Sequence, residues 1–161
     1  MGQPAAKKQK LDFSNSFTVH VGTERKQYML HTSFATKTSG FFRIAANGRW
    51  KESKDNKLTL PDVRPSTFEV YLEWLYTDKI VLLETETGRN PDGTPKLRKG
   101  ADTAYPQLLR LYCLAQYLLD LTFQNTVIDH LIKSVLHFKV HPGVSDVKTI
   151  WPLVPDNSPI K

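Results

Sequence analysis

The chain has 161 residues, 40% of them hydrophobic, which suits a single domain with an ordinary core and excludes disorder throughout. One cysteine, Cys113, excludes an internal disulfide and a cysteine-built zinc site and points to a reducing compartment, cytosol or nucleus. The formal charge is +6, half of it from Lys7, Lys8 and Lys10, and no apolar run approaches the roughly 20 residues of a membrane span, so the composition argues against nucleic-acid and membrane binding by the domain itself.

Residues 1–12 are expected to form a flexible basic tail. Phe17, Val19 and Val21 then alternate with Thr18, His20 and Gly22, the period of a half-buried strand, and 28–30 resume β-friendly residues after a polar turn, so a hairpin opens the domain. Thr32 or Ser33 can cap a short helix through about Lys37. Ser39 can cap a second, carrying Phe41, Phe42 and Ile44 and closing near Asn47 and Gly48. Leu58 and Leu60 alternate with Lys57 and Thr59 up to Pro61, which gives a third strand. Proline at 65 suits a first helical position, and Phe68, Leu72, Leu75 and Tyr76 share one face while Val70, Tyr71 and Trp74 cover others. A helix apolar on so many sides is expected at the centre of the fold.

Residues 80–83 read as a fourth short strand. Residues 84–106, with Gly88, Gly93, Gly100, Pro91, Pro95 and Pro106 and no periodicity, read as a long exposed insert. After Pro106, Leu108, Leu111, Ala115 and Leu118 mark a strong helix; Thr122 can cap the next, in which Val127, Ile128, Leu131, Ile132, Val135 and Leu136 repeat to about Phe138. The two are expected to pair antiparallel. The domain thus spans 13–140, and 141–161 is a turn-rich extension whose Val147, Ile150, Trp151 and Leu153 can dock back as a cover. This order describes an α+β fold with a small sheet at one end of a helical cluster.

Residues 19–22 and 28–31, Ser39-Gly40-Phe41-Phe42, 58–62, Phe68 and Trp74-Leu75-Tyr76-Thr77, taken in order over roughly 13–138, resemble the recurring signature of BTB/POZ domains. The resemblance implies five or six helices capped by short strands, with His31 ending the second strand, the Ser-x-Phe-Phe stretch opening the second helix and the Tyr-Thr pair closing the central one. It implies a non-catalytic protein-interaction and scaffolding module that forms homo- or hetero-oligomers. The stretch Gly48-Arg49-Trp50-Lys51-Glu52-Ser53 and the long insert are similar to the divergent BTB domains of fungal proteins. Members that recruit corepressors carry an aspartate and a basic residue where this chain has Ser16 and Thr32, so that charged pocket is not expected here. The short start before Phe13 shows no extra element of the kind that swaps between partners, which leaves homodimerisation open.

The candidate partner-binding residues are Phe42, Trp50 and Glu52. Trp50-Lys51-Glu52 resembles the hydrophobic residue, any residue and acid through which adaptor members contact a cullin ubiquitin-ligase scaffold; a large exposed aromatic suits an interface anchor and a carboxylate suits its rim. A transcription-associated scaffold and a channel-type tetramerisation domain are the other readings of the same family. The structural residues are expected to be His31, which ties the hairpin to the first helix through its ring nitrogens, with Phe41, Phe68, Trp74, Leu75, Tyr76, Leu111 and Leu131. His20, His130, His137 and His141 lack zinc-ligand spacing, Cys113 sits among apolar neighbours, and the insert's glycines do not make a phosphate loop. No catalytic residue, cofactor or metal is expected.

Overall fold

The computed structural model describes residues 12–49, 57–83, 85–89, 95–98, 101–139, 141, 143, 144 and 148. Strand β1 (Ser16–Val21) pairs antiparallel with β2 (Lys26–His31), Phe17 opposite Leu30 and Val19 opposite Tyr28. Alternation does what its period requires: Phe17, Val19 and Val21 are buried while Ser16 is exposed. Gly22 leaves β1 at φ +77°, a left-handed conformation that costs glycine little, and its amide donates to the Leu60 carbonyl at 2.9 Å.

Helices α1 (Thr32–Thr38) and α2 (Gly40–Ile44), followed by a π-helical turn over Ala45–Arg49, carry the chain across to β3 (Lys57–Leu60). That crossover lets β3 lie parallel to β1, giving a three-stranded sheet in the order β2-β1-β3 with β1 at its centre. The expected cap at Thr32 or Ser33 is not formed. His31 occupies the capping position without a side-chain bond, because the helix starts directly where β2 stops. Ser39 does cap α2, its hydroxyl accepting from the Phe42 amide at 3.2 Å.

Helix α3 (Pro65–Thr77) opens on proline, as its sequence requires, and buries Phe68, Val70, Tyr71, Trp74 and Leu75. It lies between the sheet and the pair α4 (Ala101–Tyr117) and α5 (Leu121–Phe138), which pack on each other across the turn 118–120. The core joins the inner face of the sheet to Leu108, Leu111, Ala115 and Leu118 of α4 and to Phe123 and Val127 of α5. Rings in edge-on and tilted contact run through it: Tyr71, Trp74 and Phe123 lie with centroids 4.6 to 5.9 Å apart. Each such side chain removed from water contributes roughly 1.5 to 3 kcal/mol.

Three expectations need correction. Residues 80–83 join no sheet among the described residues; the Gln107 side-chain amide instead accepts from the Leu83 amide and donates to the Leu83 carbonyl, both at 2.8 Å, standing in for a strand partner. Within 84–106, β4 (Thr85–Arg89) and β5 (Pro95–Arg98) pair as an antiparallel ribbon where a loop was expected. Backbone hydrogen bonds hold a ribbon without any apolar alternation to announce it, and the register shifts between Glu86 and Arg89, across Gly88. Helix α4 also begins ahead of Pro106, at Ala101. The proline forgoes one helical hydrogen bond, and packing outweighs it: Ala104 and Tyr105 are buried, with the Tyr105 ring edge-on to Phe138 at 6.4 Å.

Candidate interaction surface

The stretch Ser39-Gly40-Phe41-Phe42 seats α2 on the turn between α4 and α5. The Ser39 hydroxyl donates to the Leu118 carbonyl at 2.7 Å, and the amides of Gly40 and Phe41 donate to the carbonyls of Leu119 and Leu118 at 3.0 and 3.1 Å. Glycine at 40 lets the two segments approach closely, since a Cβ there would stand 3.1 Å from the Leu119 Cβ and 3.3 Å from its carbonyl oxygen, tighter than an ordinary contact. Leu119 itself takes the left-handed conformation, φ 51°, that sends the chain into α5.

Asp120 completes this junction and is fully buried. One carboxylate oxygen caps α5 by accepting from the Phe123 amide at 3.0 Å; the other accepts from the hydroxyls of Thr38 at 2.7 Å and Tyr71 at 3.2 Å. A buried carboxylate is tolerable when its lone pairs are taken up in this way. Burial, and then the Asp120 charge, hold the Tyr71 hydroxyl well above its ordinary pKa, so Tyr71 stays a donor. The expected cap at Thr122 gives way to Asp120, and Thr122 lies inside the helix, where its carbonyl accepts from the Thr126 hydroxyl. An aspartate at the break between two apolar helical patterns was the sequence signal for this residue.

Around the sealed junction, apolar side chains face solvent. Tyr117 stacks on Phe41 at 5.5 Å and is half exposed, Leu119 is exposed beside it, and Leu121 is 71% exposed. Ile44, one turn beyond Gly40 on the same face of α2, is exposed as well. Along α5 the exposure grows: Phe123 and Val127 are buried, whereas Ile128, Ile132 and Leu136, at intervals of four, are 36%, 54% and 71% exposed. These positions and Leu121 lie on one stripe. Trp50 and Glu52 lie outside the described residues. Phe42, the third candidate for partner contact, is fully buried and stacks on Phe17 at 5.5 Å, so it belongs to the core: it sits opposite the solvent-facing side of a helix only five residues long.

Of the residues given structural roles, Phe68, Trp74, Leu75 and Leu111 are buried, while Phe41 and Leu131 are half-buried against the core. His31 ties the hairpin to the end of α3: its ring Nδ1 lies 3.1 Å from the Tyr76 hydroxyl and its amide donates to the same oxygen at 3.2 Å. The first helix meets the imidazole through the Phe34 ring at 6.2 Å, whereas the ring nitrogen Nδ1 reaches Tyr76 of α3 instead of α1. Tyr76 is 40% exposed and closes this edge together with Phe13 and Phe34. Burial pushes the Cys113 thiol up to about 11, which leaves it protonated and unreactive at neutral pH. Among the described residues no three His, Cys, Asp or Glu side chains gather as metal ligands, and no helix is long and apolar enough to cross a membrane.

The family model of the BTB/POZ domain matches residues 8–89, just over half of the 161. No curated protein matches the chain in sequence. Among solved structures, the chain is similar to the BTB domain of zebrafish PATZ1 at 17% identity, over 73% of this chain and 75% of that one, with a TM-score of 0.46.

Proposed function

Because this chain belongs to the BTB/POZ domain family, whose members are protein-interaction modules, we propose that it is a non-catalytic module for homo- or hetero-oligomerisation and scaffolding in the cytosol or nucleus. The observation that carries the reading is the apolar stripe of Leu121, Ile128, Ile132 and Leu136, which the domain's own core leaves uncovered. Contiguous apolar surface of this kind costs solubility unless a partner covers it. Light-scattering mass determination tests the proposal: the intact chain should exceed its monomer mass of 18.4 kDa, and Ile132→Asp should return it toward the monomer while leaving its helical signal intact. A monomer at every concentration that also recovers no protein partner would sink it.

A second reading, adaptor to a cullin-type scaffold, draws on the exposure of Ile44, on the chain just ahead of Trp50-Lys51-Glu52, and of Tyr117 and Leu119 where α2 meets the α4–α5 turn. Titration calorimetry against a cullin N-terminal domain distinguishes it. Trp50→Ala should weaken such binding by about 2 kcal/mol or more without unfolding the domain, and Glu52→Ala by less, with a loss that grows at low salt.

A further inference from the structure

Helices α3 and α4 leave a groove between them on the side reached by the end of β3. One hollow of about 430 Å3 has Leu60, Val63, Cys113 and Leu114 in its lining and Tyr117 along its wall. A second, of about 280 Å3, runs on between Val70, Leu83 and Leu111. Thr67 and Arg110 line both, so the hollows adjoin and Arg110 stands at their meeting point. Arg64, the residue that precedes the first turn of α3, lines the larger one.

The charges in this groove are unbalanced. The guanidiniums of Arg64 and Arg110 have neither a hydrogen bond nor an ion pair with any described residue. Arg110 is partly buried, and its pKa is pushed down by that burial and then by the charge of Arg64, an exposed cation that lines the same hollow. The acid in the lining, Asp62, is exposed and forms no ion pair among the described residues. Partly buried arginine is ordinarily paired, because desolvating a cation without a counter-charge is costly. The adjoining N-terminus of α3 adds positive potential.

We propose that this groove binds an acidic linear segment of a protein partner, with a bulky apolar side chain in the larger hollow and flanking carboxylates on Arg64 and Arg110. The inference rests on the reading of the chain as a protein-interaction module and names the chemistry of one partner. A peptide fits where a small anion does not, since phosphate would satisfy the arginines and leave the apolar lining wet. The volume falls in the range of pockets that enclose a ligand group, and guanidinium forks match carboxylates in bidentate geometry.

The test is fluorescence anisotropy of the intact chain with labelled peptides of about twelve residues that carry a central Leu-Phe pair flanked by Glu, Gln or Lys. The Glu peptide should bind saturably, and the Gln peptide at least about tenfold more weakly. Arg110→Glu should abolish Glu-peptide binding and create binding of the Lys peptide. Arg110→Gln, which keeps much of the side chain's bulk, should weaken the Glu peptide by about tenfold with circular dichroism unchanged. No saturable binding of the Glu peptide, equal binding by folded Arg110→Gln, or displacement of the peptide by millimolar inorganic phosphate would each overturn the proposal. Failure here alongside self-association in light scattering sinks the groove and leaves the interaction module standing, whereas a monomer without partners sinks the module whatever the peptides do.

Discussion

Two carboxylates in this fold each accept a hydrogen bond from a tyrosine, and they do different work. Asp120 takes Tyr71 in the sealed junction between α2, α3 and the α4–α5 turn, while Glu69 takes Tyr28 at 2.7 Å and Lys26 at 2.6 Å on the open edge between the hairpin and α3. Asp120 is fully buried, whereas the side chains of Lys26 and Glu69 are 55% and 40% exposed. Water competes for every bond at the open edge and for none at the sealed one, so the same pairing is structural at 120 and a minor adjustment at 69. Exposure, and not the identity of the pair, decides its weight.

The largest effect that would break this contrast is expected at Asp120. Asp120→Ala removes the cap of α5 and leaves the hydroxyls of Thr38 and Tyr71 and the Phe123 amide without their acceptor in a dry site. The expected cost is about 3 to 5 kcal/mol in urea unfolding. A loss below about 1 kcal/mol would mean that water reaches the junction. Gly40→Ala follows, at about 1 to 3 kcal/mol by the same measurement, since the new Cβ presses on Leu119 where two backbone hydrogen bonds hold the segments together. A neutral result would show that the turn yields by a few tenths of an ångström. A matched pair sharpens the comparison further: Tyr71→Phe should cost about 1 to 2 kcal/mol and Tyr28→Phe less than about 0.5, and equal losses would erase the distinction.

The sequence was legible wherever one physical signal acted alone. Alternation marked β1, Pro65 marked the start of α3, and a serine ahead of Gly40-Phe41-Phe42 marked the cap of α2. It was opaque where two effects competed. Pro106 argues for a helix start, and the burial of Tyr105 overrides it. The β4–β5 ribbon rests on backbone pairing, which leaves no apolar period to read. On α5 a single pattern of isoleucines and leucines covers both residues that meet the core and residues that face outward; periodicity gives the stripe but not what lies against it. Phe42 and Phe41 show the same limit, since adjacent phenylalanines on a short helix point to different surroundings. The groove at Arg64 and Arg110 joins residues 46 positions apart, a convergence that no local spacing announces.

The smallest expected effect concerns Glu69 and its dependence on pH. Lys26, and then the Tyr28 hydroxyl, hold the Glu69 carboxyl below its ordinary value of 4.5. A carboxyl lowered in the folded state stabilises the fold above its unfolded value, and that contribution is lost as pH falls through the lowered one. The hairpin edge should therefore add to stability at neutral pH and add nothing in strong acid. Lys26→Met removes the principal cause of the shift, so the acid limb of a stability profile from about pH 3 to pH 6 should become shallower than that of the parent chain. Because the pair is exposed, moderate salt should produce a similar flattening in the parent and little change in the variant. Asp120 provides the internal contrast, since its bonds lie out of reach of counter-ions and the cost of Asp120→Ala should hold at any ionic strength. A Lys26→Met profile that runs parallel to the parent's at low salt would show that the pair carries no stability, and that Tyr28 alone fastens the hairpin to α3.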